Sequence, residues 1–165
     1  MVRTFNGEGT HKVDAKGRVS IPAYYRRVIE ASDPSWTDGK LPEFRIVYGG
    51  ERRAFLECFT IDAAAEVDGK IARMARGSLK RRAMEQLFNG QSMPATVDDT
   101  GRIVLPAKLR KKIGIEGEAY FMAMGDTFQI WKPETYKAKH GEVEDLLDSL
   151  PEGSEWTLLD DEEGV

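Results

Sequence analysis

One fourteen-residue pattern occurs twice in this chain, and that repetition constrains the fold more than any other feature. Asp14-Ala15-Lys16-Gly17-Arg18-Val19-Ser20-Ile21-Pro22-Ala23-Tyr24-Tyr25-Arg26-Arg27 returns as Asp98-Asp99-Thr100-Gly101-Arg102-Ile103-Val104-Leu105-Pro106-Ala107-Lys108-Leu109-Arg110-Lys111, 84 residues further on. Asp, Gly, Arg, Pro and Ala match, apolar positions match in kind, and a basic pair closes each copy. A period of this size signals duplication of a whole structural unit. Short β-prone runs flank each Asp-x-x-Gly: His11-Lys12-Val13 and Val19-Ser20-Ile21 in one copy, Ala95-Thr96-Val97 and Ile103-Val104-Leu105 in the other. They predict a hairpin in which Asp14 or Asp98 bonds forward to the turn amides, while Gly17 or Gly101 takes the positive φ. Pro22 and Pro106 stand at the expected first helical position. The helices are expected to end near Ala31 and near Gly114, a residue type favoured just past a helix C-terminus.

Two Asp-x-x-Gly-Arg-[Val/Ile]-x-[Ile/Leu]-Pro-Ala segments, followed by Leu56-Glu57-Cys58-Phe59 in the first unit and Phe128-Gln129-Ile130-Trp131 in the second, resemble the MraZ family of tandem SpoVT/AbrB-like units. The resemblance covers most of residues 1–140. It implies a mainly β protein with short helices (α+β), in which two AbrB-like swapped-hairpin units form an intrachain pseudo-symmetric β-barrel. Independently of the family, one such unit has too few elements to bury a core, so the two are expected to pack on each other.

The expected organisation is a first unit at 3–66, a helical connector at 67–90, a second unit at 91–140 and an acidic C-terminal tail at 141–165. Phe44–Tyr48 and Ala54–Phe59 read as strands around Gly49-Gly50-Glu51-Arg52, and Ala119–Met122 and Phe128–Trp131 as strands around Gly125-Asp126. The breaker-rich loop Ala31–Pro42 has no counterpart in the second unit; its Trp36 is expected to cover the edge of the core. Asp62–Phe88 reads as helix with a break at Gly77-Ser78. Its six bases (Lys70, Arg73, Arg76, Lys80, Arg81 and Arg82) are not nominated as a site, because a solvated helix face explains them as well. In the tail, Val143, Leu146, Leu147 and Leu150 fall at helical spacing before Pro151.

The net charge of −4 conceals an asymmetry. All 24 Lys and Arg lie at or before Lys139, whereas residues 142–165 carry 10 acids and no base. The rest of the chain therefore balances 24 bases against 18 acids, a surplus of +6, which points mildly to a polyanionic partner. One cysteine, Cys58, excludes an internal disulfide and suits a reducing compartment. No apolar run approaches the roughly 20 residues that span a bilayer, and Met1–Glu8 lacks the apolar core of a secretory signal. A cytoplasmic protein is expected.

Catalytic chemistry finds no support in the sequence. His11 and His140 are distant and lack partners at metal-ligand spacing, and no phosphate loop, nucleophile elbow or zincin helix is present. The expectation is a non-enzyme with no catalytic residue, metal or cofactor. Binding chemistry is better placed: each repeat sets an arginine directly after the turn glycine, and a planar guanidinium suits bidentate contact to guanine in the major groove. The family resemblance makes this loop the DNA-contacting part, with Arg18 first and Lys16 second. Arg102 matches by position, but its turn has gained Asp99 and lost the lysine. Arg3 and Arg26 rank below these as phosphate contacts. Asp14, Gly17, Asp98 and Gly101 are the structural turn residues. Tyr24 and Tyr25 are expected in a core or an interface rather than in readout. The competing explanation for both arginines is a fold-holding pair with the turn aspartate.

The resemblance implies a sequence-specific, nucleoid-associated regulator of the division and cell-wall gene cluster. It would bind short direct repeats in promoter duplex DNA as a homo-oligomeric ring, with no membrane and no small-molecule substrate as partner. Two alternatives remain open: a non-DNA scaffolding ring, and an AbrB-like antitoxin or transition-state regulator.

Overall fold

Period-two alternation decides which residues of the central strands meet the core. Phe44 and Ile46, with Leu56 and Cys58, point to one face of a sheet; Val47 and Phe59 point to the other. The computed structural model describes residues 4–160. The elements run β1 (Glu8–Lys12), β2 (Arg18–Ser20), α1 (Ala23–Ala31), β3 (Glu43–Val47), β4 (Phe55–Thr60), α2 (Ile61–Ala72) and α3 (Leu79–Glu85). After a π-turn at Gln86–Gly90 come β5 (Ser92–Thr96), β6 (Arg102–Val104), α4 (Ala107–Ile113), β7 (Glu118–Met124), β8 (Thr127–Trp131), α5 (Pro133–Lys139), α6 (Gly141–Ser149) and α7 (Glu155–Leu159). The chain divides into one compact unit ending at Pro133 and another beginning at Glu134.

In the first unit, six strands form one antiparallel sheet in the order β1-β7-β8-β4-β3-β5, and β2 pairs with β6 in a separate two-stranded ribbon. The leading strand of each repeat bonds into the other half of the chain: β1 lies along β7, with Thr10 opposite Tyr120, and β5 along β3, with Met93 opposite Ile46. β4 and β8 meet at the centre, Cys58 opposite Phe128. On one face, Tyr25, Ile29, Phe44, Leu105, Phe121 and Ile130 belong to a single core drawn from both repeats. Each such side chain contributes roughly 2 kcal/mol when fully buried. Phe5 packs edge-on against Tyr25 and Phe128 at centroid distances of 5.1 and 4.9 Å. Tyr25, fully buried on α1, donates its hydroxyl proton to the Gly7 carbonyl at 2.8 Å, and burial pushes its phenol up to about 12. Tyr25 is thus the core residue expected, while Tyr24 beside it is exposed.

On the opposite sheet face, α2 and the π-turn cover Val47 and Phe59 with Ala63, Ala64, Leu87 and Phe88. Thr60 caps α2 by accepting from the Ala63 amide at 3.0 Å, and a bidentate pair fastens the helix to β3: Arg45 Nη1 and Nη2 each lie 2.9 Å from an Asp68 oxygen. The expected break includes Gly77-Ser78 but starts earlier, since α2 ends at Ala72 and α3 begins at Leu79. Gly77 has φ +85°, and Ser78 caps α3 by accepting from the Arg81 amide. Arg81 itself turns back to donate to the Met74 carbonyl at 2.9 Å, so one of the six connector bases is structural.

Three expectations need correction. The six-stranded sheet is open, not closed into a barrel: β1 and β5 are its two edges. The hairpins around Asp-x-x-Gly are shorter than expected: the Asp14 and Asp98 amides bond the Arg18 and Arg102 carbonyls, but β1 and β2 share only the bridge Val13–Val19, and β2 runs along β6. The amides of Arg18 and Arg102 are bonded to the carboxylates of Asp14 and Asp98 within the turns. Finally, Pro22 and Pro106 precede the helices by one residue, as caps with extended ψ of 137° and 150°.

Trp36 donates from its indole nitrogen to the Lys40 carbonyl within its own loop. That loop is pinned by buried Asp33, whose carboxylate accepts from the Ser35 and Glu43 amides. The unit from Glu134 holds α6, with Val143, Leu146 and Leu147 about half exposed, and α7, which periodicity did not reveal. Among the described residues no helix is long and apolar enough to cross a membrane.

Candidate nucleic-acid interface

The β2–β6 ribbon brings the two repeated arginines together. Its register sets Arg18 opposite Val104, Val19 opposite Ile103 and Ser20 opposite Arg102. Val19 and Ile103 face the core at 1% and 0% exposure. By alternation, Arg18, Ser20, Arg102 and Val104 share the outer face, diagonally related about the central pair. Backbone bonds extend the ribbon at both ends, from the Leu105 amide to the Gly17 carbonyl (2.8 Å) and from the Ile21 amide to the Gly101 carbonyl (3.1 Å). Because the strands are antiparallel, the turns Asp14–Gly17 and Asp98–Gly101 stand at opposite ends of the ribbon.

Each turn is built around its aspartate. Asp14 Oδ1 accepts from the Lys16 and Arg18 amides, both at 2.9 Å, and Oδ2 accepts from Arg18 Nε at 2.7 Å. Asp98 Oδ1 accepts from the Thr100 and Arg102 amides and from the Thr100 hydroxyl, all at 2.9 Å, and Oδ2 from Arg102 Nε at 3.2 Å. These donors favour the charged carboxylates. The Arg18 amide leads in holding Asp14 below its ordinary value, and the Arg102 amide leads in holding Asp98 down to about 2. Gly17 and Gly101 adopt φ of +84° and +80°, as the turn chemistry requires.

The aspartate pairs therefore exist, but they engage only Nε of each guanidinium. Among the described residues the terminal nitrogens of Arg18 and Arg102 have no partner, and the side chains are 39% and 36% exposed. An arginine anchored at Nε presents its two remaining nitrogens in a fixed plane, suited to bidentate contact with a planar acceptor. Lys16 is exposed beside Arg18, whereas exposed Asp99 and Thr100 occupy the other turn.

The remaining sequence-selected residues fall differently. Arg3 lies outside the described residues. Arg26 on α1 reaches the second turn: Nη1 donates to the Asp98 carbonyl, and Nε pairs with Glu30 at 3.1 Å. Arg27, exposed on the same helix, lines a cleft of about 410 Å³ with Ser20, Ile21, Arg26, Thr100 and Gly101. Sequence reasoning passed over Arg110, although the 84-residue offset pairs it with Arg26; its Nε donates to the Leu105 carbonyl at 2.8 Å. Ser20 and Val104 were also passed over, and the alternation around Val19 and Ile103 was the signal for both. His11 packs edge-on against Phe121 in β1, and Cys58 is buried, its thiol pushed well up by desolvation. Among the described residues no group of three His, Cys, Asp or Glu is arranged to hold a metal.

Fold and site together define a duplicated, mainly β protein that displays paired, aspartate-anchored arginines on an exposed two-stranded ribbon. Comparison with known proteins gives that class a family. A model described as "MraZ protein, putative antitoxin-like" matches residues 88–148. A Ruegeria sp. protein named transcriptional regulator MraZ is 61% identical over 92% of each chain, and a Ruegeria pomeroyi protein of the same name is 58% identical over 92% of each. A third, from Cereibacter sphaeroides, is 41% identical over the full length of both. The chain belongs to the MraZ family.

Proposed function

We propose that this chain is a sequence-specific DNA-binding regulator of transcription without enzymatic activity. The observation that carries the reading is the outer face of the β2–β6 ribbon, where Arg18 and Arg102 present free guanidinium edges and Lys16 adds an exposed charge. A two-stranded antiparallel ribbon fits the major groove, arginine is the common reader of guanine, and lysine serves phosphate as a point charge. The relatives' name, transcriptional regulator, supports the same reading.

One ribbon offers few base contacts, so specific affinity requires several copies acting together. The reading therefore includes a homo-oligomeric ring on short direct repeats in the promoter of the division and cell-wall gene cluster, in the cytoplasm at the nucleoid. Arg18 is the principal contact and Lys16 the next; Arg102 contributes less because Asp99 stands beside it. For the architecture we keep the division into units at 3–66 and 91–140, joined by a connector at 67–90 and followed by a tail at 141–165, with exchanged hairpins. The strand order supports it: β1-β7-β8-β4-β3-β5 reads the same from either end once the elements of the two repeats are interchanged.

The test is binding of the full chain to a labelled fragment from upstream of its own gene, against a scrambled duplex at two salt concentrations, with Arg18→Ala in parallel. Selective, salt-sensitive binding that Arg18→Ala abolishes while the variant remains folded is the expected result. Equal weak binding to both duplexes overturns it and favours a scaffolding ring. The family model's description favours a second reading, an AbrB-like antitoxin; that reading requires a stoichiometric protein partner that co-purifies with the chain.

A further inference from the structure

The two turns are held by different devices. At the first, a Cβ on Gly17 would fall onto the Leu105 carbonyl oxygen, far inside contact distance, and within 2.9 Å of Arg110 Nε. Backbone and helix side chain thus form a close seat, and Gly17 is buried in it. At the second, a Cβ on Gly101 would meet nothing within 4 Å, and the cleft of about 410 Å³ opens between the turn and α1. Across that cleft runs one charged tether. Arg26 Nη1 donates to the Asp98 carbonyl, the same oxygen that accepts the turn-closing Gly101 amide at 3.0 Å. Glu30, one helical turn along α1, holds the Arg26 guanidinium from its other edge.

We propose that Arg26 is a positioning residue for Arg102: it fixes the pose of the second turn from the helix of the first repeat, and acts on DNA through that turn rather than by touching it. The inference rests on the DNA reading above for its consequence, though not for its geometry. Asp98 is the node. Its carbonyl is tied to Arg26, its amide donates to the Arg102 carbonyl at 2.8 Å, and its carboxylate holds the Arg102 amide and Nε. Releasing the carbonyl frees the turn to move over the cleft, and the Arg102 guanidinium moves with it. The first turn has its own seat and is unaffected.

The test has two arms. In the first, amide hydrogen exchange is followed at Thr100, Gly101 and Arg102 and at Lys16, Gly17 and Arg18, in wild type, Arg26→Ala and Arg26→Lys, without DNA. Arg26→Ala is expected to accelerate exchange in the second turn only, and Arg26→Lys, which keeps a cationic donor, to restore protection. Unchanged exchange at 100–102, or equal acceleration in both turns, overturns the proposal. In the second arm, Arg26→Ala is combined with Arg102→Ala and separately with Lys16→Gln, and binding to the promoter fragment is measured. Loss of one charge-assisted hydrogen bond corresponds to roughly a tenfold weakening, expected in the wild-type and Lys16→Gln backgrounds and absent in Arg102→Ala. A tenfold loss that persists in Arg102→Ala makes Arg26 a direct DNA contact and overturns the proposal. Wild type failing to select the promoter defeats the DNA reading instead, and the exchange arm then decides the positioning role by itself.

Discussion

Asp14 Oδ2 and Arg18 Nε lie 2.7 Å apart across the first turn, and the relationship recurs at 3.2 Å between Asp98 and Arg102. Holding the turn and leaving a guanidinium edge exposed are therefore compatible at these positions. The aspartate organises the turn amides and also orients the guanidinium whose outer edge remains open.

The carboxylates make the fold sensitive to acid. Asp98 is held down to about 2, led by the Arg102 amide, against an unfolded value of about 3.9. Its folded value is the lower one, so its contribution to stability is complete above roughly pH 4 and is lost as pH falls through the folded value. Asp98→Asn is expected to lower Tm at neutral pH, with the gap from wild type closing as pH falls toward about 2. Thermal melts of both proteins across that range check it, and a pH-independent gap refutes it. Asp14→Asn is expected to follow with the same sign.

The two turn glycines separate by environment. Both have positive φ, which costs an alanine about 1 kcal/mol. At Gly101 that is the whole cost, since its Cβ would enter open space. At Gly17 the Cβ would also collide with the Leu105 carbonyl, a backbone atom that cannot swing aside. Gly101→Ala is expected to cost about 1 kcal/mol and Gly17→Ala more than about 3 kcal/mol in urea unfolding. Equal costs would mean that the first turn relaxes freely and has no rigid seat.

How far the sequence revealed this molecule depended on the range of the interactions. The Asp-x-x-Gly-Arg turns, the Gly77-Ser78 break and the strands around Gly125 rest on bonds between residues a few positions apart, and their signals are local. Pairing of β2 with β6 instead of β1 was not legible, because nothing in a three-residue alternating run names its partner. The open sheet was missed because closure was expected from the resemblance alone, and no local signal marks β1 and β5 as edges. Among the candidate site residues, Arg18 and Arg102 stand in the repeated motif, and Lys16 was chosen from its place in the first turn alone. The role of Arg26 at Asp98 depends on a hydrogen bond between residues 72 apart in sequence, which no spacing rule encodes.

The Arg45–Asp68 pair tests how α2 is fastened to the sheet. Both Asp68 oxygens accept from Arg45, and Oδ1 also accepts from Asn89 at 3.0 Å, so the pair ties β3, α2 and the π-turn together. Its side chains are 26% and 41% exposed, so water screens much of the attraction. A double-mutant cycle of Arg45→Ala and Asp68→Ala is expected to give a coupling of about 1 kcal/mol, diminished at high salt. The Asp68 carboxyl is held below its ordinary value mainly by the Arg45 hydrogen bonds, so the coupling is expected to vanish when acid protonates it. A coupling unchanged by both salt and acid would assign the linkage to packing of Val47, Phe59 and Ala63.

The last contrast is between charge and geometry at the first turn. Lys16 is exposed and carries a point charge, so its proposed contact is with a phosphate, which carries no sequence information. Lys16→Gln is expected to weaken binding to promoter and scrambled duplex alike, and to lower the slope of log K against log salt by about 0.9. Arg18 differs because Asp14 fixes its plane. Arg18→Lys keeps the positive charge but loses both the Nε anchor and the two-nitrogen fork. It is therefore expected to leave the salt slope and non-specific binding nearly unchanged while reducing the promoter-to-scrambled ratio by about tenfold or more. Titrations of both variants at several salt concentrations separate the roles. If Arg18→Lys retains full discrimination, Arg18 serves only as a charge, and the base-reading group must be sought elsewhere on the ribbon, with Arg102 the next candidate.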